Sequence, residues 1–232
     1  MRIGFFTDSH FSSAEITCGC RYNSKSLEKI NEAFRHFVTE KCDLVVCLGD
    51  LIDRENNHQK EIENLKKVSN DLQKYDIKTC VLMGNHDAFA FTPEEFYSIL
   101  GEEYRPGNIA CDNINLIFLD TCYFKNGEHY MPGDSDWTDT FLPKIKELET
   151  VLEAIEEEAY VFLHQNLDPT VPENHRVFNN AEIRGILQKS GKVKTVFQGH
   201  YHKGNTNEVE GIKYITFAAM CENDSAYYVV EI

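Results

Sequence analysis

The stretch DLVVCLGDLID, residues 43–53, is the place from which the fold is read. Asp43–Leu48 is a short run rich in β-branched and aliphatic residues, the mark of a strand. It stops at Gly49, and two carboxylates follow at once, Asp50 and Asp53. The same grammar recurs on both sides. Upstream, Arg2–Thr7 ends in Asp8-Ser9-His10; downstream, Lys78–Met83 ends in Gly84-Asn85-His86-Asp87. Between the three runs lie helical patterns over Ser24–Lys41 and Asn56–Tyr75. In the first of these Leu27, Ile30, Phe34 and Phe37 recur at helical spacing and make one apolar stripe. The order β-α-β-α-β predicts parallel strands joined by right-handed crossovers.

Further strand-like runs are Ile114–Leu119, Ala159–Leu163, Val193–Phe197, Lys213–Phe217 and Tyr227–Ile232. Further helical patterns are Pro93–Leu100, Pro143–Glu158 and Ala181–Lys189, two of which start on proline, a residue suited to a first helical turn. The last two strands have no helix between them and are expected to pair antiparallel. The acidic run Glu147–Glu158 carries Leu148, Val151, Leu152 and Ile155 at helical spacing, so its charge reads as a solvated helix face. Gly101–Asn113 and Tyr123–Thr140 read as polar loops, and the second is long enough to suggest a functional role.

A chain of 232 residues with 42% hydrophobic and 26% charged residues can bury one sizeable core. Residues 1–232 are expected to form a single α/β domain. The net charge of −15, with no stretch rich in lysine and arginine, disfavours an extended grip on nucleic acid or on an anionic membrane. Ile3-Gly4-Phe5-Phe6 is too short for a signal-peptide core, and no run reaches membrane-spanning length, so a cytoplasmic location is expected. The eight cysteines do not form a disulfide pattern. Cys42, Cys47, Cys80 and Cys111 sit in or beside apolar runs and are expected to be buried thiols. Cys18-Gly19-Cys20 lies in a polar loop and is open to three readings: a redox pair, a soft-metal clip, or neither.

The chemistry-bearing residues fall at the carboxyl ends of strands, where a parallel α/β sheet binds its ligands. To the three motifs above are added His164, after Ala159–Leu163, and Gly199-His200-Tyr201-His202, after Val193–Phe197. Any one of these alone would be unremarkable; a core does not produce five in order. Asp8, His10, Asp50, Asn85, His164, His200 and His202 make seven candidate metal ligands, more than one ion can use. Carboxylate, imidazole and carboxamide oxygen suit Mn²⁺, Fe²⁺ or Zn²⁺, and two such ions side by side form a clamp for phosphoryl chemistry.

In these motifs, from Asp8 to His202, the sequence resembles the calcineurin-like metallophosphoesterases, whose pattern is Asp-x-His, Gly-Asp-x-x-Asp, Gly-Asn-His-Asp/Glu, a lone His, and Gly-His-x-His. The resemblance implies a four-layer α/β/β/α sandwich of two mixed sheets flanked by helices. It implies a first metal on Asp8, His10 and His202, a second on Asn85, His164 and His200, and Asp50 bridging the two. Mn²⁺ is the leading expectation, with Fe²⁺, Zn²⁺ or Co²⁺ also accommodated. The catalytic pair would be His86, facing the scissile phosphate, and Asp53, fixing its tautomer. His86 would either protonate the leaving alcohol or steady charge on the phosphoryl oxygens. Arg54, Asn85 and His86 are the candidate substrate contacts, and Arg54 is read either as a phosphate contact or as one half of a surface ion pair.

Arg54 is followed by Glu55, and the third motif ends in Asp87, not Glu; both depart from the protein serine/threonine phosphatases. The resemblance is closer to small bacterial phosphodiesterases acting on cyclic nucleotides, nucleotide diphosphates or glycerophosphodiesters, so a small phosphorylated substrate is expected. A nuclease and a non-catalytic scaffold are the alternatives. The Cys18–Tyr22 loop, with Arg21, is a candidate to line the pocket, and Trp137 with Asp134 and Asp136 a candidate lid. His36, His58, His129 and His175 match no motif and are read as surface histidines.

Overall fold

A computed structural model describes residues 1–111 and 113–232. The three opening runs fold as β1 (Arg2–Phe6), β2 (Leu44–Cys47) and β3 (Thr79–Val81), separated by α1 (Ser26–Thr39) and α2 (His58–Leu72). β1 pairs parallel with β2, and β2 parallel with β3. Then come α3 (Asn85–Ala90), α4 (Pro93–Leu100), β4 (Ile109–Cys111), β5 (Ile114–Phe118), α5 (Ile145–Ala154), β6 (Glu158–Phe162), α6 (Asn180–Ser190), β7 (Val193–Gln198), β8 (Asn205–Val209), β9 (Ile212–Thr216) and β10 (Tyr227–Glu231). Two mixed sheets result, one in the order β10-β1-β2-β3 and one in the order β4-β5-β6-β7-β9-β8.

Strand alternation builds the layers. Ile3, Phe5, Leu44, Val46 and Leu48 face inward and meet Leu116, Phe162, Phe197 and Phe217 from the other sheet. The opposite faces are covered by helices: Phe6, Val45 and Val81 pack with residues of α1, α2 and α4, and Ala159, Val161 and Val196 with residues of α5 and α6. This is the four-layer α/β/β/α sandwich. Phe5 is the centre of the inner layer, with ring centroids 4.7 Å from Phe197 and 4.9 Å from Phe217. Among the described residues no helix is long and apolar enough to cross a membrane.

The expected pairing of the last two strands is not what forms. β9 lies parallel to β7 and antiparallel to β8, whereas β10 lies antiparallel to β1 in the other sheet. The cause is the segment between them. A short 3-10 turn, Met220–Glu222, docks on the end of β1, where Met220 N donates to Thr7 O and Cys221 N to Asp8 O, both at 3.0 Å. That strap carries the chain across the sandwich. The antiparallel partner of β9 is instead β8, whose sequence Asn205-Thr206-Asn207-Glu208 is too polar to read as a strand, and which is joined to β9 through Glu210 and Gly211, both at positive φ. β4, within the expected polar loop, is likewise an edge strand, and Cys111 on it is exposed, not buried. The helix expected over Pro143–Glu158 stops at Ala154, because Glu158 already belongs to β6.

Candidate active site

All five motifs arrive at one end of the sandwich. Gly49 and Gly84 show why glycine precedes the ligands. Gly49 sits at φ 109°, and a Cβ there would lie 2.6 Å from His164 Nδ1; a Cβ on Gly84 would lie 2.2 Å from Asp50 Oδ1. The ligand residues themselves leave the strands through tight reversals: Asp8, His10, Asp50 and His200 all have φ between 44° and 64°. Such non-glycine conformations cost about 1–3 kcal/mol each and persist where surrounding structure over-determines them. Here it does so by backbone bonds from one loop to the next, Asp8 N to Gly49 O and His10 N to Asp50 O, both 3.0 Å. Asp87 adds a clamp by accepting from Leu51 N, Ile52 N and Gly84 N at 3.1, 3.1 and 2.9 Å.

The seven candidates converge. His10 Nε2 is 3.5 Å from Asp50 Oδ2 and 3.3 Å from His202 Nε2, and His202 Nε2 is 3.4 Å from Asp8 Oδ1. On the other side of Asp50, His164 Nε2 is 3.4 Å from its Oδ2 and 3.3 Å from Asn85 Oδ1. Asp50, His164 and His200 bring ligand atoms within 4.8 Å of one another, as do His10, His202 and Cys221. Asp50 thus lies between two groups. The outward ring nitrogens are fixed by their partners: His164 Nδ1 donates to Leu48 O at 2.8 Å, and His202 Nδ1 lies 2.6 Å from Glu222 Oε1. Each Nε2 is left pointing its lone pair at carboxylate, carboxamide or another lone pair.

That arrangement is unfavourable without a cation. Asp8 Oδ1 and His200 Nε2 are buried and have no hydrogen-bond partner among the described residues. Buried acceptors facing one another fit two divalent ions, and the donor set is of the type such ions take. A proton is the alternative occupant: burial disfavours charge on His164, but the adjacent Asp50 carboxylate outweighs it and holds the ring protonated up to about 9. At His10, burial and the nearby His86 win instead, and the ring is pushed down to about 4.

His86 stands beside the ligands. Its Nδ1 lies 2.7 Å from Asp53 Oδ1, and its amide N–H donates to Asp50 Oδ1 at 2.8 Å. Burial opposes ionisation of Asp53, but bonds from His10 and His86 hold its carboxyl well below the usual range. Arg54 is outside this constellation. Its guanidinium donates to the carbonyls of Asp134 and Gly133, the latter at 3.3 Å, and makes no ion pair among the described residues; it ties down the 123–140 loop. That loop carries Trp137 to the cleft, with its ring 5.5 Å from His200 and 5.1 Å from His175.

The cleft has a volume of about 350 Å³ and is lined, besides the motif residues, by Arg21, Trp137, His175, Tyr201, Lys203 and Glu222. His175 is therefore a half-buried wall residue, not a surface histidine. Its position depends on the 3-10 turn Glu173–His175, which no motif marks. Cys221 and Glu222 were equally invisible, because they arrive on the strap that crosses between the sheets. Cys18 and Cys20 are exposed free thiols, and Cys20 Sγ lies 3.4 Å from Glu222 Oε1.

A family model described as calcineurin-like phosphoesterase matches residues 1–204. No curated protein matches the chain. Among solved structures, a dimetal phosphatase from Danio rerio superposes with a TM-score of 0.85 at 17% identity, covering 98% of this chain and 91% of that one. The phosphopantetheinyl hydrolase of Mycobacterium tuberculosis gives 0.54 at 12%, covering 98% and 95%. An archaeal phosphodiesterase gives 0.50 at 12%, covering 100% of both chains. At such identities the likeness is one of fold.

Proposed function

As the chain belongs to the calcineurin-like phosphoesterase family, we propose that it hydrolyses a small phosphorylated molecule, a phosphodiester or phosphomonoester, with two divalent metal ions. The observation that carries this reading is Asp50, set between two groups of buried lone pairs, with His86 and Asp53 at its side. Asp8, His10 and His202 would hold the first ion, Asn85, His164 and His200 the second, and Asp50 both. When bound, such ions supply a hydroxide nucleophile near neutral pH and neutralise the phosphoryl oxygens, the main source of stabilisation.

The chain's own residues do the rest. Asp53 fixes the ring of His86 so that Nε2 faces the cleft. There it can give a proton to the leaving alcohol or a hydrogen bond to a phosphoryl oxygen. A cleft of about 350 Å³ suits a small ester. With a net charge of −15 the chain is a poor partner for nucleic acid, which tells against the nuclease reading. Every ligand position and His86 are filled, which tells against a non-catalytic scaffold. Eight free cysteines accord with the cytoplasm.

The test is turnover of bis-p-nitrophenyl phosphate or p-nitrophenyl phosphate with Mn²⁺, abolished by chelator. Failure to turn over either ester with Mn²⁺, Fe²⁺, Co²⁺ or Zn²⁺ would sink this reading. Activity profiles across the four ions rank the metals.

A further inference from the structure

Arg21 belongs to none of the five motifs, yet its Nη1 lies 3.4 Å from His86 Nε2. Its loop is closed on itself, with Thr17 N donating to Arg21 O and Arg21 N to Thr17 O, both at 3.0 Å. Asn23 then welds the loop to the site. Its Oδ1 accepts from Thr17 N, and its Nδ2 donates to His10 O at 2.7 Å and to Asp53 Oδ2 at 2.9 Å. Tyr22 N adds a bond to Cys221 O at 2.9 Å. The backbone under Arg21 is thus fastened to His10, which would hold the first metal, and to Asp53 and Cys221 beside it.

The guanidinium itself is underused. Asp53 lies 3.6 Å from Nη1, longer than a good charge-assisted hydrogen bond. Asp53 is already engaged by His86 at 2.7 Å, Asn23 at 2.9 Å and Thr17 Oγ1 at 3.0 Å. A planar, charged group with five donors is therefore held by its backbone and lines the cleft, its Nη1 making only long contacts to His86 and Asp53. Among the described residues only one other lysine or arginine, Lys203, lines that cleft. With Arg54 turned to the 133–134 carbonyls, Arg21 is the one guanidinium available at His86.

We propose that Arg21 is a catalytic residue whose guanidinium binds the non-bridging oxygens of the scissile phosphoryl group beside His86. This rests on the phosphoesterase reading above. Arg21 and His86 would then flank one phosphoryl group, Arg21 by charge and fork geometry, His86 at the oxygen that leaves.

The experiment compares Arg21→Ala and Arg21→Lys with the parent protein, each loaded with Mn²⁺. Four readouts are used: metal content, kcat and KM on p-nitrophenyl phosphate, inhibition by orthophosphate, and rescue by added guanidinium. Loss of one preorganised transition-state donor typically costs about a hundred- to thousandfold in kcat. That loss is expected for Arg21→Ala, with metal content unchanged, weaker inhibition by orthophosphate and partial recovery with guanidinium. Arg21→Lys keeps charge but not the fork, and should fall between the two. Rate and phosphate inhibition within threefold of the parent, or loss of metal in step with rate, would overturn the assignment. If Arg21→Ala does not fold, Arg21→Lys decides, since unchanged phosphate inhibition there overturns the assignment equally. Absence of turnover in the parent would instead count against the phosphoesterase reading; orthophosphate binding by calorimetry, equal in parent and variants, would then still overturn the role of Arg21.

Discussion

The four-stranded sheet brings every carboxylate and the carboxamide among the seven candidate ligands to the cleft, with His10; the six-stranded sheet brings imidazoles only, His164, His200 and His202. The two contributions are held differently. In the first, consecutive loops are bonded to one another: His10 N to Asp50 O at 3.0 Å, His86 N to Asp50 Oδ1 at 2.8 Å, and the Asp87 clamp across both. In the second, one such bond joins the loops, Gly199 N to His164 O at 3.0 Å, and two of the three histidines are aligned by reaching across. His164 Nδ1 donates to Leu48 O, and His200 N to Asp8 Oδ2 at 3.0 Å. The acidic half organises itself, and the imidazole half is organised by docking on it. Damage should therefore travel from the first half to the second more readily than back.

Asp50→Asn is the sharpest attempt to break this picture. One residue faces both groups, so its loss should remove metal from both. Two charge-neutralising ions are each worth several kcal/mol, so turnover should drop by more than about ten-thousandfold. Elemental analysis should find neither site filled. One full equivalent of retained metal at undiminished affinity would show that the halves bind independently. His86→Ala comes next. It removes a proton-handling group that is not among the seven candidate ligands, and should lower kcat by about a hundred- to ten-thousandfold with metal content intact. A fall in metal content would place His86 among the ligands.

The asymmetry also explains what could be read from the sequence. The acidic half was legible because each motif is local: a strand and then the ligands, with a glycine forced by close approach before Asp50 and before Asn85. Parallel pairing of β1, β2 and β3 followed from the intervening helices. In the imidazole half the ligands were legible as His164 and the Gly-His-x-His motif, but their partners were not: a backbone carbonyl orients His164, and Glu222, distant in sequence, orients His202. β8 was hidden because an edge strand with polar alternation looks like a loop. The crossing of Met220–Glu222 was hidden because its cause is backbone bonding to Thr7 and Asp8, made by any residue with an N–H. With it went Glu222 and Cys221. The surroundings of Arg54 were hidden for a related reason: its position is set by a loop 79 residues away.

Paired glycine substitutions grade the two halves on stability. A Cβ at Gly84 would press on Asp50, 2.2 Å from Oδ1 and 2.4 Å from the backbone N; at Gly199 it would meet Thr7 Oγ1 at 2.2 Å. The first site meets main chain as well as a carboxylate, next to residues held by the Asp87 clamp; the second meets side-chain atoms of Thr7 and Asp8 only. Overpacking of this kind costs about 1–3 kcal/mol. Gly84→Ala should fall at the upper end and Gly199→Ala at the lower, as read from urea midpoints. The reverse order would place the rigid half on the wrong side of the cleft.

Glu222→Gln tests the smallest difference, that between the outer partners of the two metal groups. His202 is oriented by a side chain, Glu222 Oε1 at 2.6 Å, whereas His164 is oriented by a main-chain carbonyl. Outer partners of this kind are worth about ten- to a hundredfold in metal affinity. Gln keeps the shape and one acceptor but loses the charge, so the lower figure is expected, about tenfold, or about 1.4 kcal/mol. The loss should fall on one of two metal equivalents in a chelator competition, because nothing in the substitution reaches Leu48 or His164. Equal weakening of both equivalents would mean that the imidazole half transmits strain back through Asp50, and that the dependence between the two sheets runs in both directions.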